Sequence, residues 1–173
     1  MTILRGFAVW LAHSPITAAV TARFWFVPEI QIIHIVAIAA VVISVALINL
    51  RALGLIETDR PLQAVFHRWF RVILIAVAVL AVTGFLLIAS EPGRALFRTV
   101  FWAKLGLIAL ALAVTAAHGL IGRRDEAAAD SVANPGPTPT GRALAIASVL
   151  LWIGVICAGR WIAYAEGWPG AFS

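Results

Sequence analysis

Four stretches of this chain, residues 30–50, 72–90, 100–121 and 143–165, are so continuously apolar that they leave little else free to decide the fold. A helix needs about 20 residues to cross a hydrocarbon layer roughly 30 Å thick. Inside that layer the backbone must satisfy its own N–H and C=O groups, which selects helices over open strands. The expectation is an all-α, integral membrane four-helix bundle with an N-terminal interfacial helical segment. Composition agrees, with 62% hydrophobic and 12% charged residues and a mean hydropathy of +1.00, far from an ordinary soluble domain.

The formal net charge of +5 does not point to nucleic acid, because the basic residues sit at the ends of apolar runs rather than on one soluble face. Arg51, Arg60, Arg68, Arg71, Arg123, Arg124 and Arg142 flank the first and third connections, while Arg5, Arg23, Arg94, Arg98 and Arg160 fall toward the other side. The positive-inside rule therefore predicts cytoplasmic connections and both termini outside. The single cysteine, Cys157, lies inside the fourth run. It forms no disulfide framework and is expected to be a small buried residue.

The organisation expected is an amphipathic interfacial segment over 1–27 and a transmembrane domain over 28–173. Helices are predicted at about 29–53, 63–90, 96–121 and 141–166, with a flexible linker over 122–141. In the first segment Ser14 and Pro15 read as an N-cap and first helical residue, dividing it into two short helices. Pro28 opens the first crossing, and "SEPGRALFR" is a tight turn on Pro92 and Gly93. The linker "GRRDEAAADSVANPGPTPTGR" has little apolar content. Gly84, Gly106, Gly119, Gly154 and Gly159 are expected where helices approach closely. Trp25, Trp69, Trp102, Trp161 and Trp168 fall near boundaries, as in an aromatic belt.

Ionisable residues within a span are costly and usually mark an interior or functional position. His34 in the first run, Lys104 in the third and Arg160 in the fourth fall at one outer depth when helix direction alternates. Each lies roughly 5–10 Å inside its helix boundary at a 1.5 Å rise per residue, and Gln31 and Tyr164 can join them. One reading has the two cations snorkelling and the histidine in an ordinary hydrogen bond. The other is a polar pocket in which an imidazole ligates iron or moves a proton while cations hold carboxylates such as haem propionates. On the cytoplasmic side His67 and His118 are a second candidate iron-ligand pair, with Arg51, Arg68 and Arg71 available for propionates. His13 is a candidate partner for His34. No H-x-x-x-H, methionine cluster or carboxylate pair supports zinc or iron without haem.

The sequences "IIHIVAIAAVVISVALINLRALGL", "RWFRVILIAVAVLAVTGFLL" and "FWAKLGLIALALAVTAAHGL" resemble helices 1 to 3 of small bacterial membrane proteins of the CopD and HemJ-type superfamily. The nearest resemblance is to an uncharacterised branch with the ending "GRWIAYA". The informative positions are His34, Arg51, Gly84 and the aromatic-x-Lys of "WAK". In the HemJ-type oxidases the corresponding histidine and lysine are associated with b-type haem, which implies that role for His34 and Lys104. CopD-type relatives imply copper handling instead, but the only methionine here is Met1.

Residues and resemblance together lead to the expectation of a haem b protein in a bacterial inner membrane. It would act as a b-type cytochrome or redox subunit, passing electrons to or from a quinone or a partner in a larger membrane or periplasmic complex. His34, His118 and His67 are the candidate iron ligands, and Lys104, Arg160 and Arg51 the further cofactor-binding residues. The alternatives are a structural or assembly subunit and a metal-handling or transport protein.

Overall fold

The computed structural model describes residues 2–97, 99–128 and 138–164, with the side chains of 2, 94, 95, 100, 124–128 and 160–164 outside the description. Seven helices follow one another: α1 (Thr2–Ala12), α2 (Pro15–Thr21), α3 (Phe26–Ala52), α4 (Leu62–Ser90), α5 (Pro92–Leu96), α6 (Thr99–Ala128) and α7 (Pro139–Tyr164). Four of them, α3, α4, α6 and α7, are long and apolar enough to cross a membrane.

The apolar runs set these helices, and local chemistry sets their ends. Ser14 caps α2, accepting a hydrogen bond from the Thr17 N–H at 3.3 Å, with Pro15 following it. Pro28 falls in the first turn of α3, where its missing N–H costs nothing. The α3 helix stops in a Schellman turn: Gly54 takes φ 77° and the Leu55 N–H reaches the Leu50 carbonyl at 2.9 Å. Two boundaries differ from expectation. The turn after α4 contains the short helix α5, and α6 continues to Ala128 rather than stopping at 121. "GRRDEAA" is polar but made mostly of good helix formers, so polarity ends the crossing without ending the helix.

Packing is densest within two antiparallel hairpins, α3 with α4 and α6 with α7. They close a four-helix ring through α3 against α7 and α4 against α6. The centre is filled by Val41, Val45, Ile48, Ile73, Ala111 and Trp152, among others. Outward-facing aliphatics such as Ile35, Ile75, Val82 and Leu150 remain exposed, as a lipid-facing surface requires. One end of the bundle carries α1, α2 and the last turn of α7 (the termini end), and the other carries the α3–α4 and α6–α7 connections (the loop end).

Helices α1 and α2 meet at 54° and pack on α3, α4 and α5. The Thr17 hydroxyl is shared between the carbonyls of Leu11 (2.7 Å) and Ala89 (2.9 Å), which pins this bent pair to the end of α4. At the loop end Arg51 is only 4% exposed. Its guanidinium folds back onto the Arg60 carbonyl through Nε (2.9 Å) and Nη2 (2.5 Å).

Two packing expectations are corrected. Cys157 is exposed because it lies about 200° around α7 from the buried Val155. Gly84, Gly119 and Gly159 lie under side chains of neighbouring helices, whereas Gly106 and Gly154 face open space.

Candidate functional site

Sequence position alone brings an imidazole and an ammonium to the termini end of the bundle, and the packing decides how each is held. His34 is half-buried on α3 with its Nδ1 2.8 Å from the Thr83 hydroxyl oxygen on α4. A threonine hydroxyl has one hydrogen, and Thr83 directs it to the Val79 carbonyl at 2.7 Å. The Thr83 oxygen is therefore the acceptor, and His34 is the donor through Nδ1–H. In the neutral imidazole the lone pair then lies on Nε2, which makes no hydrogen bond among the described residues. A histidine held from behind in this way is the arrangement found in metal-ligating imidazoles.

Gly84, one residue beyond Thr83, lies beside the ring: a Cβ there would stand 3.5 Å from His34 Cε1, in ordinary van der Waals contact. Lys104 is half-buried on α6, and its Cε and Nζ lie over Gly159 of α7, at 3.6 Å from where a Cβ would stand. Its ammonium is within Coulombic reach of the His34 ring. Of the expected outer layer, His34 and Lys104 stand on α3 and α6, which face each other across the four-helix ring. The side chains of Arg160 and Tyr164 lie outside the described residues, and Gln31 is exposed. His34 does make an ordinary hydrogen bond, but it is one that leaves a ring nitrogen free.

The second constellation is not assembled as expected. His67 is exposed on α4, its ring edge-on to Phe66, while His118 on α6 is 1% exposed. Residues 66 and 67 are about 100° apart around the helix. Phe66, not His67, takes the inward position and packs on Gly119. Arg51 is occupied by the Arg60 carbonyl, and Arg68 and Arg71 are exposed, with Arg68 lying 5.1 Å over the Trp69 ring. His13 is exposed and turns its Nδ1 to the Val9 carbonyl of α1 at 2.8 Å.

A buried polar layer near the loop end was not anticipated from sequence. Asn49 on α3 donates to the Ser148 hydroxyl on α7 at 3.2 Å. Trp152 Nε1 on α7 faces Thr115 Oγ1 on α6 at 3.4 Å. All four side chains are buried. The available signal was small polar residues within the runs of α3, α6 and α7, which crossing helices use as hydrogen-bonded links. Trp69 is likewise no belt residue: it packs against the central cluster, and its Nε1 is buried with no partner among the described residues. Trp25 and Trp102 are exposed, as a belt requires.

Among the described residues no group of three or more His, Cys, Asp or Glu side chains gathers. A groove of about 350 Å³ runs between α3 and α4, lined only by aliphatic side chains such as Ile33, Val36, Ile75 and Val79.

These features define a multi-pass, all-helical membrane protein with a polar interior at one end and a second polar layer near the other. The chain belongs to a family of unknown function, DUF6644, whose profile matches residues 18–165. That match takes in α3 to α7 entire and most of α2. No curated protein and no solved structure matches the chain.

Proposed function

We propose that this protein is a membrane-embedded haem b protein of a bacterial inner membrane, serving as a cytochrome or redox subunit. It passes electrons to or from a quinone or a partner protein. The observation that carries the reading is the half-buried His34 imidazole, whose Nδ1–H is committed to Thr83 and whose Nε2 is left with a lone pair and no hydrogen bond among the described residues. That donor fits iron. A bound haem supplies a one-electron ferric–ferrous couple. His34 would hold the metal, and Lys104 would serve as a propionate anchor or second ligand. Arg160, next in the chain to the glycine on which Lys104 rests, would be a further anchor. The resemblance of "IIHIV" and "FWAKLG" to haem-associated positions in HemJ-type proteins supports the same pair. Because His67 and His118 face different ways, the reading rests on the termini end alone.

The test is the spectrum of the protein purified in lipid nanodiscs. A Soret band and a reduced-state α band are expected, both lost in His34→Ala. A protein purified with its native partners that carries no such bands would overturn the proposal.

A further inference from the structure

Near the loop end the buried polar atoms without a hydrogen-bond partner among the described residues include Nε1 of Trp69 and both ring nitrogens of His118, besides one side-chain oxygen each of Glu57 and Gln63. Buried polar groups are almost always satisfied, so those that are not call for an explanation. Three helix registers place these side chains at neighbouring depths in the bundle. Lys104 over Gly159 fixes α6 against α7 so that His118 is level with Ala145 and Thr115 with Ser148. The Asn49–Ser148 bond fixes α3 against α7 so that Ala52 is also level with Ala145. Gln63 Nε2 donates to the Gly119 carbonyl at 2.6 Å, and Phe66 packs on the same glycine. That register puts Trp69 near Thr115, about one turn from His118.

His118 thus lies level with Ala52 and Ala145, and about one turn from a polar layer of Asn49, Thr115, Ser148 and Trp152. All of these are buried.

We infer that the loop-end half of the bundle is a second binding site, formed by Trp69 and His118, for a neutral oxygen ligand. An indole N–H can only donate, and a neutral imidazole offers one donor and one acceptor. The guest must therefore accept from Trp69 and exchange a hydrogen bond with His118. Water does both, and a quinone carbonyl accepts from both N–H groups through its two lone pairs. Charge is disfavoured in the guest, because Arg51 is turned to the Arg60 carbonyl and Arg68 and Arg71 are exposed. The quinone case rests on the redox reading given above; the water case does not.

The experiment uses full-length protein with ¹⁵N-labelled tryptophan and histidine in phosphatidylcholine nanodiscs, probed by NMR alone and then with added ubiquinone-1. Resonances are assigned with Trp69→Phe and His118→Gln. Magnetisation transfer from water to Trp69 Nε1–H and to the His118 ring identifies water as the guest. Saturable shifts of both resonances on adding the quinone identify a carbonyl. In either case Trp69→Phe, which keeps an aromatic ring in place, weakens the signature at His118 about three- to tenfold, the value of one hydrogen bond. Absence of both responses in the wild-type protein overturns the inference, and so does loss of the Soret band in folded His118→Gln, which would assign the imidazole to iron. A colourless protein with intact water transfer would overturn only the haem reading.

Discussion

A single hydroxyl governs what His34 can do. Thr83 accepts the His34 Nδ1–H while donating to Val79, so replacing it with valine keeps the shape and removes the acceptor. A buried donor left unpaired costs about 1–3 kcal/mol, and the ring is then free to exchange its tautomer or rotate. Thr83→Val is therefore expected to lower thermal stability by that order and to weaken and broaden the Soret band without abolishing it. An unchanged spectrum would show that the threonine does not hold the ligand.

At the scale of helices, glycine positions separate contact from mere permissiveness. A methyl at Gly119 would run into the Phe66 ring, whereas one at Gly106 meets nothing. Gly119→Ala should destabilise the bundle by about 1–3 kcal/mol. Gly106→Ala should be neutral, or stabilising by up to about 1 kcal/mol through helix propensity. Unfolding in mixed micelles compares the two, and equal effects would contradict the packing of α4 on α6. The four crossings were legible because twenty apolar residues leave the backbone no alternative, and Ser14–Pro15 announced its own cap. The shared depth of His34 and Lys104 was legible from helix rise alone. What the sequence did not disclose depended on rotation about helix axes. One position separates His67 from Phe66, yet only the packing of α4 on α6 decides which faces inward. Trp69 and Trp152 carry the same side chain as the belt residues, and nothing local marks them as interior. The buried orientation of Arg51 depends on where the Arg60 carbonyl lies, nine residues away across a loop.

For the molecule as a whole, two hairpins carry the densest packing, and the helices between them meet through α3–α7 and α4–α6. A chain divided at the connection before Pro92 therefore leaves each fragment with its own hairpin. Co-expressed fragments 1–91 and 92–173 are expected to co-purify from membranes, joined through contacts such as Asn49–Ser148. Fragments that stay apart would mean that the covalent turn, not the interface, holds the bundle together. The helix-wide view also changes what Thr83 means. Its bond back to Val79 belongs to a class that bends a helix locally, and that bond is what turns the hydroxyl oxygen toward His34. If α4 straightens there and releases the hydrogen, the hydroxyl can donate to Nδ1 instead, and the imidazole must carry its own proton on Nε2. The curvature of one helix and the address of a proton on its neighbour are then a single variable, so a force on α4 can expose or hide an electron pair several residues away without moving the ring that bears it.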